Sequence, residues 1–307
     1  MTVPLLAGSE IPYHAGVEPE DVPGDARLGE VPLLRRLVRS PSACAGGLIV
    51  AGAVIVALLS LVWTPYNPIA QTPHAFAGMS WAHPLGTDEY GRDELSRLMA
   101  GSRVSLYAGV LAVAVASLAG IPAGLLAAGR GGLTSEVTMR LADLLFAFPA
   151  ILAAFCLVGA LGESTTTAMI AIGIASVPYY ARVTRAGALG VLGSDYVLAA
   201  RAYGRGRLAI ARRHVLPNIA PLLIVQSTLL CSVGILAEAA LAFLGIGTAP
   251  PSSTWGLMLD DAFLNFLSSH PILSLWPVLA IAVTVLGLNL LGDGLRDVLD
   301  PRLRTRP

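Results

Sequence analysis

The chain has 307 residues, of which 55% are hydrophobic and only 13% are charged, whereas a soluble domain typically carries about 25% charged residues. With a mean hydropathy of +0.70, this much apolar surface cannot be hidden inside a soluble globule, so the composition indicates an integral membrane protein. The formal net charge is zero, which argues against nucleic-acid binding because that function needs a surplus of basic residues.

The first forty or so residues are polar and include several acidic residues and prolines. A cleavable signal peptide would begin with a short basic segment followed by an apolar run, and this tail has neither. We therefore expect a cytoplasmic tail over 1–42. Apolar and basic residues alternate in 31–39, which predicts either a juxtamembrane helix lying on anionic membrane lipid or a simple positive anchor for the first span.

Six stretches approach the length of about 20 mostly apolar residues that a membrane-spanning helix requires. They are 43–63, 104–128, 144–161, 165–181, 219–244 and 272–292. They predict an all-α membrane domain over 43–295, followed by a cytoplasmic tail over 296–307. Gly120 and Gly124 form a G-x-x-x-G pattern in the second stretch, for which we expect ordinary helix packing rather than a specific dimer face.

The distribution of arginine predicts the orientation of these spans. All 20 basic residues are arginines, and 17 of them fall on the side that carries both termini. The remaining three, Arg92, Arg97 and Arg103, fall on the other side. Because positive residues concentrate in cytoplasmic loops, we expect both termini in the cytoplasm.

Two connections are too long to be simple turns. The external loop over 64–103 is expected to end in a short helix, because Leu95, Leu98 and Met99 share one helical face. The cytoplasmic loop over 182–218 is expected to form two helices, 195–202 and 208–215, separated by glycines. Its arginines fit either a docking surface or a solvated loop that only sets the topology.

The cytoplasmic loop resembles the "EAA" loop of ABC-transporter permeases of the binding-protein-dependent importer type. Its alanines, turn glycine and closing Leu-Pro fall at that family's spacings. In the family this loop forms coupling helices that fit a groove on a cytoplasmic ATPase. The resemblance implies an ATPase-coupling set, which comprises Asp195, Leu198, Ala199, Ala200, Arg201, Gly204, His214, Leu216 and Pro217.

One residue departs from the family pattern. Leu198 stands where the family has a glutamate, which would give the interface a charged contact. Asp195 lies three residues earlier on the same helical face. We expect either that Asp195 partly substitutes for the missing carboxylate or that Leu198 makes an apolar contact instead.

Three further stretches resemble the C-type subunits of dipeptide/oligopeptide permeases: 83–93, 238–256 and 292–302. Together the motifs run from about residue 31 to residue 304. The resemblance implies a type I ABC importer permease fold with six transmembrane helices in the cytoplasmic membrane of a prokaryote. It also implies a second, different permease subunit, ATP-binding subunits and an extracytoplasmic substrate-binding protein as partners.

The sequence lacks a phosphate-binding G-x-x-x-x-G-K-[ST] loop and contains no lysine, so we expect a non-catalytic subunit without a cofactor of its own. ATP and Mg would be bound by the partner ATPase subunits. The resemblance favours short peptides as cargo, with nickel, glutathione or haem-related compounds as alternatives. A secondary transporter is a further alternative. Such proteins usually place paired ionisable groups at mid-membrane, whereas Glu238 is the only acidic residue deep in a predicted span of this sequence.

Two other candidate sites carry charge. Glu238, deep in the fifth predicted span, could line a translocation path, contact a partner permease, or be a hydrogen-bonded structural carboxylate. The external contact segment contains Thr87, Asp88, Gly91, Arg92 and Asp93. It could meet a partner protein, and its acidic residues could bind a hard cation, but we expect a structural turn cross-linked by Arg92 and no metal.

Overall fold

The computed structural model describes residues 37–38, 40–266 and 269–299, without the side chains of 264–266. Within these ranges the chain is helical, and its only paired extended backbone is an isolated bridge between Thr87 and Asp93. Residues 1–36 and 39 of the predicted N-terminal tail (1–42) and residues 300–307 of the predicted C-terminal tail (296–307) lie outside the described residues, and so does most of the predicted juxtamembrane helix over 31–39.

Four helices are long and apolar enough to cross a membrane. Helix α1 covers Pro41–Leu59, α2 covers Glu94–Arg130, and α10 covers Ile272–Leu299. The fourth runs from Arg207 to Phe243 and includes α8, Leu216–Phe243. In the part of the chain that the structure describes, length and composition therefore support four spans, or five if a bent pair counts as one. The count of six and the cytoplasmic termini stay predictions.

The bent pair corresponds to the third predicted span. Helices α3, Gly132–Ala147, and α4, Ala150–Leu161, meet at an angle of 81°. The break follows from Pro149, because a proline forces the preceding residue into extended backbone, and Phe148 accordingly has φ −90° and ψ 124°. The apolar run over 144–161 predicts one span, and the structure divides that run between two helices at Pro149.

Helix α5, Thr165–Leu192, has 28 residues and covers the fourth predicted span. Of all the helix pairs in the described residues, α5 and α2 are in the most extensive contact. Gly120 and Gly124 of α2 face α5: a Cβ atom at Gly124 would lie 2.5 Å from the carbonyl oxygen of Ala181. These glycines therefore serve close packing inside the chain.

The short helix expected at the end of the external loop is the first part of α2. Asp93 caps this helix, since its carboxylate accepts hydrogen bonds from the amide and the hydroxyl of Ser96 at 2.8 and 2.7 Å. The apolar face of Leu95, Leu98 and Met99 is thus continuous with the long helix. A separate helix, α9, Trp255–Phe266, packs against α8 and α10.

The predicted cytoplasmic loop folds into α6, Asp195–Ala202, which has the predicted bounds, and α7, Arg207–Ile210, which covers only the start of the second predicted helix over 208–215. A five-residue π-helical turn, Ala211–Val215, joins α7 to α8 without a break. Val197, Ile210 and Val215 are buried in one cluster with Tyr180 of α5 and Leu223 of α8. The loop is therefore anchored in the same core that holds the long helices together.

Candidate functional site

The candidate docking surface is the exposed side of 195–217, and it begins with α6. This helix ends at Ala202. Two residues later comes Gly204, whose φ of +77° lies in the left-handed region that favours glycine. The Gly204 amide donates to the Arg201 carbonyl at 2.9 Å, and the Arg205 amide donates to the Ala200 carbonyl at 3.1 Å. This pattern is a Schellman motif, and it turns the chain sharply towards α7.

Most of the predicted coupling residues lie on the solvent side of this surface. Leu198 is 49% exposed, and Asp195, Ala199, Arg201, Gly204 and Pro217 are also exposed. Ala200, His214 and Leu216 are half-buried. Val197, by contrast, is fully buried and faces the core. The buried Val197 thus holds α6 to the core, and the rest of the helix is exposed or half-buried.

The docking surface also contains apolar and aromatic residues that the sequence analysis missed. Tyr203 is 89% exposed and Leu208 is 70% exposed, while Tyr196 is 48% exposed. Large apolar side chains on an otherwise polar loop are a signal of a binding surface, and this signal was available in the sequence. Tyrosine is also enriched where interfaces are energetically important.

Positive charge surrounds these apolar residues. Five exposed arginines lie on the surface, and none of them pairs with a carboxylate in the described part of the chain: Arg201, Arg205, Arg207, Arg212 and Arg213. A face of aromatic and aliphatic side chains with unpaired arginines suits a partner that offers an acidic, partly apolar groove.

His214 connects the two ends of the docking surface. Its ring lies 6.0 Å from the ring of Tyr196 in α6, and its Nε2 atom is buried without a hydrogen-bond partner. Its carbonyl accepts a hydrogen bond of 2.6 Å from the side-chain amide of Asn218. His214 therefore packs inward against α6 rather than outward like the arginines that precede it.

The external contact segment is built around Asp88. Its carboxylate accepts hydrogen bonds from the Arg92 side chain at 2.5 Å and from the amides of Tyr90 and Arg92, both at 2.9 Å. Arg97 of α2 also pairs with it, and the same guanidinium reaches Asp261 of α9 at 3.1 Å. Arg92 does cross-link this turn, and the network joins the loop to two helices.

The other members of the segment are buried as well. The Thr87 hydroxyl donates to the His74 carbonyl at 2.6 Å. Gly91, at φ +69°, lies against Thr72, whose hydroxyl donates to the Gly91 carbonyl at 2.8 Å. Because all five predicted residues are buried, an external partner would meet their neighbours, such as the half-exposed Tyr90.

Acidic groups outnumber the arginines in this network. Burial raises the pKa of Glu89, and the nearby Asp261 carboxylate raises it further. Burial and Asp261 likewise raise the pKa of Asp260. Across the described residues, no three His, Cys, Asp or Glu side chains are grouped so as to hold a metal ion.

Glu238 lies at the crossing of α8 and α2. It is 3% exposed, and it accepts a hydrogen bond of 2.9 Å from the Ser105 hydroxyl of α2. Its Oε1 atom is buried as well, and the residue lies beside Thr165 and Met169. The chain's own helices cover this carboxylate, which favours the structural alternative over exposure to a translocation path.

Comparison with known proteins places these features in context. Residues 120–305 match the family described as binding-protein-dependent transport system inner membrane component. The di/tripeptide transport system permease protein DppC of Pseudomonas aeruginosa (strain UCBPP-PA14) is 42% identical over 267 residues, covering 84% of this chain and 88% of that protein. The glutathione transport system permease protein GsiD of Pectobacterium atrosepticum is 38% identical over 273 residues, covering 88% and 90%.

The fold is also similar to a solved structure. The MetNI methionine ABC transporter, in an inward-facing conformation, contains a chain that matches with a TM-score of 0.55. The match covers 66% of this chain and 96% of that one, at 15% sequence identity. At this identity the likeness concerns the fold alone, which is that of a type I ABC importer permease.

Proposed function

Because the chain belongs to the family of binding-protein-dependent transport system inner membrane components, we propose that it is one permease subunit of an ATP-driven importer of short peptides. The observation that carries this proposal is its 42% identity, over most of both chains, to a di/tripeptide permease. The chain is a multi-pass protein of the cytoplasmic membrane, and it is a non-catalytic subunit.

The partners follow from this role. A second, different permease subunit would complete the translocation path, and an extracytoplasmic binding protein would deliver the peptide. ATP-binding subunits would hold ATP and Mg and dock on the exposed side of 195–217. The arginines and exposed apolar residues of that surface support this assignment.

The docking surface is suited to transmitting motion. Val197, Ile210 and Val215 anchor it in the core that also contains α5 and α8. A displacement imposed by the ATPase subunits would therefore move the ends of two long helices, because a packed core transmits strain rather than absorbing it. The spans would then exchange between inward-open and outward-open states.

Glutathione is the second candidate cargo, supported by the 38% identity to a glutathione permease. The two candidates are chemically close, because glutathione is itself a tripeptide. The permease does not by itself distinguish them, so the test must include the extracytoplasmic binding protein that delivers the cargo.

The proposal is tested with the whole complex in proteoliposomes. We expect ATP-dependent accumulation of labelled di- and tripeptides, and none when ATP is replaced by a non-hydrolysable analogue. Uptake of labelled glutathione, measured in parallel, tests whether glutathione is also a cargo. Uptake that proceeds without ATP would instead support a secondary transporter and contradict the proposal.

A further inference from the structure

We propose that the π-helical turn Ala211–Val215 fixes the rotation of α6 and α7 about the axis of α8, and that Pro217 and Asn218 are the positioning residues that maintain it. The inference rests on the proposed function, because the surface so oriented is the one that would receive the ATPase. Three independent features of the turn support it.

The first feature is the hydrogen bonding around Pro217. The Leu216 amide donates to the Ala211 carbonyl, five residues back, whereas an α-helix uses the carbonyl four residues back. Pro217 has no amide hydrogen, and in an α-helix its ring would collide with the carbonyl of Arg213. The wider turn avoids that collision, so the Leu-Pro pair has a structural consequence beyond ending a loop.

The second feature is the spacing of buried residues. Ile210, Val215, Ile219 and Leu223 are all buried in one cluster, and the first two are five residues apart. In a continuous α-helix, residues five apart point about 140° away from each other. The π turn brings Ile210 onto the same buried face as Val215, which an unbroken α-helix could not do.

The third feature links the turn to α6. The Asn218 side-chain amide donates to the carbonyl of His214 at 2.6 Å, which satisfies a carbonyl within the widened turn. The ring of His214 packs near that of Tyr196. The rotation set by the turn is therefore passed to both docking helices.

A change from π to α geometry with the same number of residues would rotate α7 by about 100° relative to α8. Ile210 would leave the core and Ala211 would take its place. Leu208 and the exposed arginines would then face a different direction, while the spans kept their own packing. ATP hydrolysis would no longer be coupled to transport.

The experiment uses the complete complex in proteoliposomes and measures peptide transported per ATP hydrolysed. In Pro217→Ala, which restores the missing amide, we expect this ratio to fall roughly tenfold, since central interface residues lose their contacts. The matched control is Pro221→Ala, one turn further along α8 and outside the π turn, which should keep the wild-type ratio.

A rescue variant separates rotation from general damage. Pro217→Ala combined with deletion of Ala211 places Ile210 four residues before Val215, so an α-helix would restore the buried face, and the ratio should return towards wild type. A wild-type ratio in Pro217→Ala alone would overturn the inference, as would failure of the deletion to rescue an assembled complex.

Asn218→Asp covers the case in which Pro217→Ala does not assemble. It removes the donor to His214 and nearly keeps the size of the side chain, and it too should lower the ratio; an unchanged ratio would overturn the inference. Failure of the proposed function can be told apart from failure of this inference, because the wild-type complex itself would then show no ATP-dependent peptide uptake.

Discussion

Asp88 is the carboxylate that joins the loop over 64–103 to α2 and, through Arg97, to α9. It pairs with the buried side chains of Arg92 and Arg97. Removing one member of a buried ion-pair network typically costs about 3–5 kcal/mol, because the remaining charges are left uncompensated. We therefore expect Asp88→Asn to lower the thermal unfolding temperature of the purified complex and its yield.

The control for Asp88 is Glu136→Gln, which removes an exposed ion pair with Arg140. Exposed pairs contribute about 0–1 kcal/mol, so its unfolding temperature should stay close to that of the wild type. Equal unfolding temperatures for the two variants would contradict the role assigned to Asp88.

Substitutions at Leu198 and Asp195 test which of them makes the contact that the family's glutamate would make with the ATPase. Both are exposed, so their substitution should change docking without unfolding the chain. If Leu198 makes an apolar contact, Leu198→Ser should lower peptide-stimulated ATP hydrolysis by roughly fivefold or more, as truncation of a central interface residue does. Leu198→Met keeps an apolar side chain and should leave this hydrolysis unchanged. If Asp195 substitutes for the glutamate, Asp195→Ala should cause the larger loss.

Measurement of ATP hydrolysis in the assembled complex decides between the two residues. A complex that hydrolyses ATP normally with both residues replaced would show that neither carries the contact.

Substitutions of Glu238 test whether this buried carboxylate has a role in transport. Glu238→Gln keeps an acceptor for Ser105, so we expect normal assembly and uptake. Glu238→Ala leaves the Ser105 hydroxyl unpaired and should destabilise the protein by about 1–3 kcal/mol, which thermal unfolding would detect. Loss of uptake in an assembled Glu238→Gln complex would instead place this residue on the translocation path.

Among the elements, α2 and α5 pack closely together at Gly124. A side chain there would collide with the backbone of α5, because a Cβ atom would lie 2.5 Å from the Ala181 carbonyl oxygen. Gly124→Val should therefore destabilise the protein by about 1–3 kcal/mol or prevent its insertion. Gly129→Ala lies on the same helix with no atom in the way and should be neutral or slightly stabilising.

The test of this crossing is the amount of folded protein recovered from membranes, followed by thermal unfolding. A Gly124→Val variant as stable as Gly129→Ala would mean that the helices do not pack as described.

The α3–α4 pair shows where a hydropathy pattern is an incomplete guide to an element. The apolar run over 144–161 predicted one span, but Pro149 divides it and α3 starts twelve residues before the run. Residues 136–143 of α3 place Glu136, Arg140 and Asp143 on one side of the helix. Asp143 pairs with Arg182 of α5 at 2.5 Å, a contact between two helices that the hydropathy pattern does not reveal.

At the scale of the whole molecule, the orientation of the chain is a prediction from arginine alone. Trp81 and Leu208 are both exposed, at 104% and 70%, in the predicted external and cytoplasmic loops. In a variant without the three natural cysteines, Trp81→Cys should react with a membrane-impermeant thiol reagent in intact spheroplasts. Leu208→Cys should react only after the membrane is opened, and labelling of both in intact cells would contradict the topology.

Much of the fold followed from local chemistry. The spacing of alanine, glycine and Leu-Pro predicted α6, the turn at Gly204 and the second helix, because capping and turn preferences act over a few residues. The extent of α2 did not follow, because the buried network around Asp88, which includes Arg97 in the first part of α2, depends on distant residues such as Asp261. The inward packing of His214 likewise depends on the π turn, which no hydropathy pattern reveals.

The sequence by itself determined that this is an all-helical membrane protein and that its family is that of importer permeases, and it predicted which loop would dock a partner. These properties depend on composition and on motifs of contiguous residues. The tertiary structure decided that the external motif is a buried scaffold, that Glu238 is covered by α2, and that α7 joins α8 through a widened turn. Each of these depends on which distant side chains share a buried space, and only the packed chain brings those side chains together.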